Sequence, residues 1–316
     1  MDYHAFQVEN EILRYKLQRL RRLETIEKTK QFRQDESVSD YMHKEGIQEQ
    51  LDKFDNDLIG LLVVKKRVKE IALSLVINKI RHKLGFDINV PSLHMCFTGE
   101  PGTGKKTVAM YIGKLLSKMG YIRSGHVVFA TRDDFVGQYK EDSVLKTEQV
   151  IKQALGGVLF IDKAYFLYNS TNYKEYGQDS IEFLLTFMEQ NKDLVVILAG
   201  NKDKMDSFFS FMPGVSPRIE NRIDFSNYTI DELFEIAKKM AGDIEYEVTH
   251  DGGMVFKRYI QKKMNMPYFS NAHTVRNTID RARMHAALRI FNESEDDAKQ
   301  LNSYDFQVLL DEVMEL

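Results

Sequence analysis

The sequence predicts an α/β protein in which a doubly wound parallel sheet is followed by a smaller, all-helical domain. Continuous apolar runs bounded by turn residues suit the strands of a sheet covered on both faces. The segments between these runs have helical periodicity, and no comparable strand signal follows Phe225. The predicted strands are Leu93–Thr98, Val127–Ala130, Val158–Ile161 and Leu194–Ala199, and two of the predicted helices are Thr107–Met119 and Ser180–Gln190.

The composition limits the classes of protein that need to be considered. A chain of 316 residues can form two domains of about 100–200 residues each, and its net charge of -3 does not indicate a general polyanion binder such as a nucleic-acid protein. No run reaches the roughly 20 apolar residues that a membrane helix needs. Acidic residues near the N-terminus argue against a targeting signal, and the single cysteine, Cys96, is expected to be buried.

Residues 1–50 are expected to form an N-terminal unit with two parts. The first, over about 5–31, has apolar residues at helical spacing and several arginines on the opposite side, which predicts an amphipathic helix. Acidic residues are interspersed among the arginines, so a nucleic-acid or membrane role for this basic face is the less favoured alternative. Residues 32–50 are expected to be a polar linker. The α/β core then spans 51–226 and the helical domain 227–316.

The C-terminal part begins with a helix start signal. Thr229 and Glu232 have the spacing of a capping box, in which each side chain caps the backbone of the other residue. Later apolar positions repeat at helical spacing and define one buried face: Val275, Ile279, Ala282 and Ala286. The core also contains the glycine-rich sequence Gly99–Lys105, which has the spacing of a phosphate-binding loop. Such a core followed by a small helical lid is the arrangement of AAA+ ATPases.

A phosphate-binding loop follows the first predicted strand. Residues Gly99–Lys105 match the pattern G-x-x-x-x-G-K, in which small residues let consecutive backbone N–H groups point at phosphate oxygens. Lys105 would place a positive charge at the β and γ phosphates, so ATP is the predicted cofactor. The loop residues predicted to bind nucleotide are Glu100, Pro101, Gly102, Thr103, Gly104, Lys105, Lys106 and Thr107.

Two lysines replace groups that ATP hydrolysis normally uses. The residue after Lys105 should be Ser or Thr, whose hydroxyl coordinates Mg²⁺, but it is Lys106. Thr107 lies about 100° further round the helix and is a poor replacement. Asp162 ends the third strand as the expected carboxylate for Mg²⁺, but Lys163 follows it where Glu is expected. Because an ammonium group only donates hydrogen bonds, Lys163 cannot activate water as a base. Alternatively, it simply pairs with Asp162 or another acid. Hydrolysis should be poor and Mg²⁺ binding is doubtful.

Taken together, the motifs resemble the red-type Rubisco activase family. The resemblance covers roughly residues 51–292 and is carried in order by Pro91–Met95, Arg132–Tyr139, Gly156–Asp162, Val195–Gly200, Pro213–Ile219 and Ala272–Arg283. AAA+ proteins of bacterial sporulation and secretion share most of these motifs. The resemblance implies a ring-forming ATPase, hexameric when active, that remodels sugar-phosphate-inhibited Rubisco by engaging its large subunit and responds to ribulose bisphosphate. It also implies the plastid stroma as the location, with the bacterial cytoplasm as the alternative.

The resemblance also implies individual roles. Asn201 is at the first-sensor position, Arg276 at the second, and Ile59 with Gly60 where these proteins hold the adenine ring. Arg218 is at the position of the arginine finger that acts in the neighbouring subunit's site, with Arg222 as a second candidate; the alternative for Arg218 is a pair with Glu220. Tyr139 corresponds to the pore-loop aromatic residue, although the charged residues 140–142 replace the apolar continuation that the family usually has.

The pattern of kept and replaced residues leaves three hypotheses open. The favoured one is a hydrolysis-impaired subunit that assembles with itself or with active paralogues into a mixed ring. In it, Lys106 and Lys163 partly replace the charge of Mg²⁺, so that nucleotide binding depends little on metal. The second is an active Rubisco-remodelling enzyme in which Thr107 and Asn201 compensate. The third is a non-catalytic scaffold with an empty site.

Overall fold

A five-stranded parallel sheet forms the centre of the protein. The computed structural model describes Leu20 and residues 37–88, 91–137, 139–168, 177–293 and 299–314. The strands are β1 (Met95–Gly99), β2 (Val127–Ala130), β3 (Val158–Asp162), β4 (Val195–Gly200) and β5 (Asn221–Phe225). They lie in the order β2-β3-β4-β1-β5, and every neighbouring pair is parallel. The four predicted strands are therefore confirmed to within one or two residues at each end.

Helices connect the strands and form the C-terminal part. They are α1 (Val38–Lys44), α2 (Ile47–Asp57), α3 (Leu62–Lys83), α4 (Lys105–Lys118), α5 (Lys140–Ala154), α6 (Gly177–Gln190), α7 (Lys202–Phe211), α8 (Ile230–Gly242), α9 (His250–Met264), α10 (Asn271–Glu293) and α11 (Ser303–Met314). Short 3₁₀ turns at Arg132–Asp134, Ala164–Leu167 and Ser216–Arg218 follow β2, follow β3 and precede β5. No helix in the described ranges is long and apolar enough to cross a membrane.

The sheet is buried on both faces, as the continuous apolar runs predict. Successive residues of β1 alternate between two hydrophobic clusters: Met95 and Phe97 belong to one, and Cys96 to the other. Strand β3 alternates in the same way, with Phe160 in the first cluster and Leu159 in the second. This two-sided burial explains why the central strands lack the polar alternation of a half-exposed sheet. Cys96 is buried, as expected.

The edge strand β5 has a different pattern and was not predicted. Its residues alternate between buried and exposed positions, with Ile223 and Phe225 buried and Arg222 and Asp224 exposed. Only one neighbouring strand, β1, pairs with it among the described residues. A short edge strand of this kind carries too few apolar residues to stand out from loop sequence.

The C-terminal part forms the predicted helices with one addition. The capping box at the start of α8 is confirmed, since Thr229 Oγ1 accepts from the backbone N–H of Glu232 and the Glu232 carboxylate accepts from that of Thr229. The apolar face of α10 is buried as predicted. The all-helical expectation is wrong in one detail, because β6 (Glu247–Val248) pairs in parallel with β7 (Gln300–Leu301).

The expected polar linker over 32–50 is wrong for the part that the structure describes. Residues 37–50 include α1 and the start of α2. They bury Tyr41, Met42 and Ile47 in the main hydrophobic cluster, the one that contains Met95 and Phe97. The apolar residues in this stretch are few, but each faces the core, while the intervening polar residues face solvent. The predicted helix over 5–31 lies outside the described residues, apart from Leu20.

Candidate nucleotide site

A cleft of about 510 Å³ opens at the carboxyl ends of β1, β3 and β4. Open parallel sheets bind ligands at this edge. The cleft is lined by residues of the loops that follow these strands, of α4 and of the helical lid: Gly99, Pro101, Gly102, Gly104, Lys105, Lys106, Thr107, Phe160, Asp162, Lys163, Tyr165, Gly200, Asn201, Met240, Ala272, His273 and Arg276.

The loop between β1 and α4 has a backbone shape that requires glycine. Gly102 and Gly104 have φ values of 74° and 92°, in the left-handed region that disfavours side chains. A Cβ at Gly102 would also overlap the carbonyl oxygen of Ser270, at the start of the lid's long helix. Gly104 is the N-cap of α4, so the loop leads directly into a helix N-terminus, which favours anions. The loop therefore has the backbone shape that a phosphate cradle needs.

Lys105 is folded back onto its own loop. Its Nζ donates to the carbonyl oxygens of Gly99 at 2.8 Å and Glu100 at 2.7 Å, and to Thr103 Oγ1 at 3.2 Å. Burial lowers the pKa of Lys105 to about 8, and the charge of Lys106 acts in the same direction, against the opposing effect of the nearby Asp162 and Glu100 carboxylates. These contacts hold the ammonium group inside the loop, where phosphate groups are expected.

Lys106 forms an ion pair with Asp162, the expected carboxylate for Mg²⁺. The distance from Lys106 Nζ to Asp162 Oδ2 is 2.8 Å, and the lysine side chain is 54% exposed. The same ammonium group lies 5.9 Å from the centre of the Phe129 ring. Lys163 was considered as the partner of Asp162, but that alternative is wrong, since Lys106 takes this place.

The residues at this corner do not fit Mg²⁺. A magnesium ion needs oxygen ligands, whereas position 106 provides a cation with no lone pair, already bound to the remaining carboxylate. Glu100 Oε1 accepts a hydrogen bond from Asn201 Nδ2 at 2.5 Å. Within the part of the chain that the structure describes, no group of three or more His, Cys, Asp or Glu side chains could hold a metal ion.

Lys163 lies at the mouth of the same cleft in an uncommon backbone conformation. Its φ is 51° and its ψ is 48°, and it caps the 3₁₀ turn Ala164–Leu167. Its side chain is exposed and forms no ion pair within the described residues. A left-handed conformation at a residue with a side chain costs about 1–3 kcal/mol, and such residues cluster at functional sites. Lys163 lines the cleft in this conformation.

The lid contacts the phosphate loop through three hydrogen bonds. The backbone N–H of Ala272 donates to the Gly102 carbonyl at 3.1 Å, Asn271 Nδ2 donates to the Pro101 carbonyl at 3.2 Å, and Tyr228 Oη donates to the Thr103 carbonyl at 3.3 Å. Asn271 is buried, has a φ of 43° and begins α10. Sequence reasoning missed Asn271 and Tyr228, and the only signal was an Asn directly before a helical repeat.

The structure brings most of the predicted site residues to the cleft. Asp162, Lys163, Asn201, Arg276 and six loop residues line it, with Arg276 exposed on α10. The other two predicted loop residues, Glu100 and Thr103, do not line it. Thr103 is fully buried and donates to the Glu100 carbonyl at 2.8 Å. Met240 and His273 also line the cleft and were not predicted.

Beyond the loop, four more of the predicted residues lie outside this cleft. Ile59 is half-buried against the main hydrophobic cluster, and a Cβ at Gly60 would overlap the Glu232 side chain. Tyr139 is 64% exposed at the N-cap of α5. Arg218 is the fourth.

Arg218 lies on the 3₁₀ turn before β5 and pairs with Glu189, not with the Glu220 considered above. Its Nε donates to Glu189 Oε1 at 2.9 Å and its Nη1 to the Gly214 carbonyl at 2.6 Å. Arg222, the second candidate for the arginine finger, stacks on the Phe209 ring at 4.3 Å.

Comparisons with known proteins agree with this architecture. The family model for the "ATPase family associated with various cellular activities (AAA)" matches residues 95–227, and the "AAA lid domain" model matches residues 229–315. Two solved structures share the fold. One is a point mutant of Thermotoga maritima RuvB, with a TM-score of 0.54 and 19% sequence identity, covering 82% of this chain and 71% of that one. The other is the FIGL-1 AAA domain in complex with ADP, with a TM-score of 0.55 and 18% sequence identity, covering 81% of this chain and 83% of that one.

Curated relatives are much more similar in sequence. The chain is 60% identical over 259 residues to "Protein cbbX homolog, chloroplastic" of Guillardia theta, covering 82% of this chain and 70% of the relative. It is 55% identical over 261 residues to "Ribulose bisphosphate carboxylase/oxygenase activase, chloroplastic" of Cyanidioschyzon merolae, covering 82% and 85%. It is 48% identical to "Protein CbxX, chromosomal" of Cupriavidus necator, covering 82% of each. The chain therefore belongs to the red-type Rubisco activase family of AAA+ proteins, a family of ATPases.

Proposed function

We propose that the chain is an ATP-binding subunit that hydrolyses ATP poorly in its own site and regulates a ring, most simply a hexamer, that contains active relatives. The observation that carries this proposal is the ion pair between Lys106 and Asp162 at 2.8 Å. It places an ammonium group where a Mg²⁺-binding hydroxyl is expected and ties it to the carboxylate that should hold the metal.

The phosphate cradle supports nucleotide binding over an empty scaffold. The left-handed glycines of the loop, the half-buried Lys105 and the helix N-terminus are all kept. Asn201 and Arg276 also line the cleft, and the proposal gives them the roles of the two sensors. A scaffold that bound nothing would not need this set of groups around one cleft.

The loss of the catalytic carboxylate supports poor turnover. A general base contributes about 10²–10⁴-fold to the rate of a typical reaction. Lys163 replaces the expected glutamate and can only donate hydrogen bonds. The described residues that line the cleft include one carboxylate, Asp162, and it is bound to Lys106.

The names of the relatives support Rubisco as the client. One is a ribulose bisphosphate carboxylase/oxygenase activase and another a cbbX homologue, and both are chloroplastic. The proposal therefore includes the Rubisco large subunit as partner, ribulose bisphosphate as effector and the plastid stroma as location, with the bacterial cytoplasm as alternative. Tyr139 would contact the client in the pore, and Arg218 would act in the neighbouring subunit's site.

Phosphate release tests this proposal. The purified chain, the Cyanidioschyzon merolae activase and their mixtures are assayed with and without ribulose bisphosphate. We expect almost no release by the chain alone and a changed rate per active subunit in the mixture. Arg218→Ala should remove the change, while Arg67→Ala, at an exposed arginine of α3, should keep it. Robust turnover by the chain alone would contradict the proposal.

A further inference from the structure

Lys106, Asp162 and Lys163 form what we call the hydrolytic corner of the cleft. The two lysine replacements there change the charge of the cleft by more than a magnesium ion would. Lys106 in place of a neutral hydroxyl adds one positive charge, and Lys163 in place of a glutamate adds two. Both side chains line the cleft, together with Lys105, Arg276 and the single carboxylate of Asp162. A Mg²⁺ ion would add two charges. The protein therefore already supplies the positive charge that a bound metal normally brings to the phosphates.

The position of the Lys106 ammonium group makes this charge usable. Lys106 is the second residue of α4, directly after the phosphate loop, and its Nζ is fixed 2.8 Å from Asp162 Oδ2. Its side chain is half-exposed, so it is not buried away from a ligand. The ammonium group thus stands between the phosphate loop and the carboxyl end of β3, the two elements that hold the metal in an intact site.

A magnesium ion would be opposed at the same place. The Asp162 carboxylate, which would bind the metal, is paired with Lys106. Any metal at Asp162 would therefore lie next to the Lys106 ammonium group. Two like charges about 4 Å apart repel each other by about 1 kcal/mol for unit charges in bulk water and by about 4 kcal/mol near a protein surface. A divalent ion would double this repulsion or displace the lysine.

We infer that this cleft binds adenine nucleotides free of divalent cation, with the Lys106 ammonium group in the place of Mg²⁺. The inference rests on the proposed function in that it requires the cleft to bind nucleotide. It adds the chemical form of the ligand, a metal-free di- or triphosphate. The cleft would consequently differ from those of intact relatives in what it selects.

Calorimetric titration with ATP and ADP, in excess EDTA and in millimolar MgCl₂, tests the inference. We expect dissociation constants that agree within about threefold between the two conditions. In Lys106→Thr, binding in EDTA should weaken at least tenfold, and MgCl₂ should restore it. The matched control is Lys114→Thr, which makes the same change at an exposed lysine of α4 outside the cleft and should behave like the wild type.

Asp162 provides a test of opposite sign. In a metal-dependent site, Asp162→Asn would weaken binding in MgCl₂. Here it removes an anion that competes with the phosphates for Lys106, so the affinity in EDTA should rise several-fold. Thermal unfolding of each variant without ligand checks that it folds.

Each outcome separates the inference from the proposed function. Binding that needs MgCl₂ would overturn the inference and leave an ATP-binding subunit intact. No binding of ATP or ADP in either condition would overturn both. Two results together would support both the inference and the proposed function. The unchanged chain binds equally well in EDTA and in MgCl₂, and Lys106→Thr, but not Lys114→Thr, loses binding in EDTA.

Discussion

The two halves of the cleft, the phosphate loop and the hydrolytic corner, contrast in what the sequence has kept. The loop Gly99–Lys105 retains the glycine conformations and the half-buried lysine that the proposed nucleotide site needs. The corner formed by Lys106, Asp162 and Lys163 has exchanged a hydroxyl and a carboxylate for two ammonium groups. Under the proposed function, binding and hydrolysis depend on different residues, so hydrolysis can be lost while binding stays.

Burial explains why the corner can change without harm to the fold. Lys106 and Lys163 are exposed, so a new side chain at either position meets solvent rather than packed atoms. Thr103 and Gly102 are held by contacts with the loop and the lid, and larger side chains there would have to displace backbone. The corner is accessible to substitution and the loop is not.

The largest effect should come from restoring the corner. In the double variant Lys106→Thr and Lys163→Glu, phosphate release by the chain should rise by about 10²–10⁴-fold, because a metal ligand and a general base return together. Steady-state phosphate release with MgCl₂ measures it. Adding Lys105→Ala should abolish the gain. No gain in a variant that binds MgATP would mean that the loop half is also impaired.

A smaller effect should come from filling the space between the loop and the lid. Gly102→Ala combines a φ of 74° with an overlap at the Ser270 carbonyl, whereas Gly85→Ala has a similar φ of 82° and nothing within 4 Å. We expect Gly85→Ala to lower the free energy of unfolding by about 1 kcal/mol, the cost of the backbone conformation alone, and Gly102→Ala by about 3 kcal/mol or more. Urea denaturation of both variants measures the difference. Equal losses would show that the lid moves freely away from the loop.

The smallest effect concerns pH and distinguishes the two halves by titration. The pKa of Lys105 is about 8 because the side chain is buried, and phosphate binding favours its charged form. Above pH 8 the lysine must take up a proton to bind, so nucleotide affinity falls as the pH rises, by about tenfold from pH 7 to pH 9.

Titrations of ADP in EDTA at several pH values measure this effect. The control is Lys105→Arg, since a guanidinium group remains charged over the whole range. A constant affinity in the unchanged chain would show that Lys105 does not meet the phosphates as a cation.

The sequence predicted the elements whose pattern is local and missed those that depend on distant partners. The central strands are recognisable because both faces are buried, and the glycines of the loop because of their spacing. Strand β5 and the helices over 37–50 were missed because only a few of their residues are apolar and these face the core.

The pair between Lys106 and Asp162 could not be predicted for a related reason. The two residues meet only after α4 and the end of β3 come together in the folded chain. The sequence shows that Lys106 and Lys163 replace the expected residues, but not which of them contacts the Asp162 carboxylate. The contact of Asn271 with the loop depends in the same way on how the lid docks.

The three hydrogen bonds between the phosphate loop and the lid have a mechanical consequence. They join Gly102, Pro101 and Thr103 to Ala272, Asn271 and Tyr228, so we expect a change in the shape of the loop to move the lid. A subunit that hydrolyses ATP is expected to rearrange this joint, the contact between loop and lid, in each catalytic cycle. A subunit that keeps its nucleotide unhydrolysed holds the joint at one angle. In the proposed ring, such a subunit would keep one conformation and would limit how far the neighbouring active subunits can move.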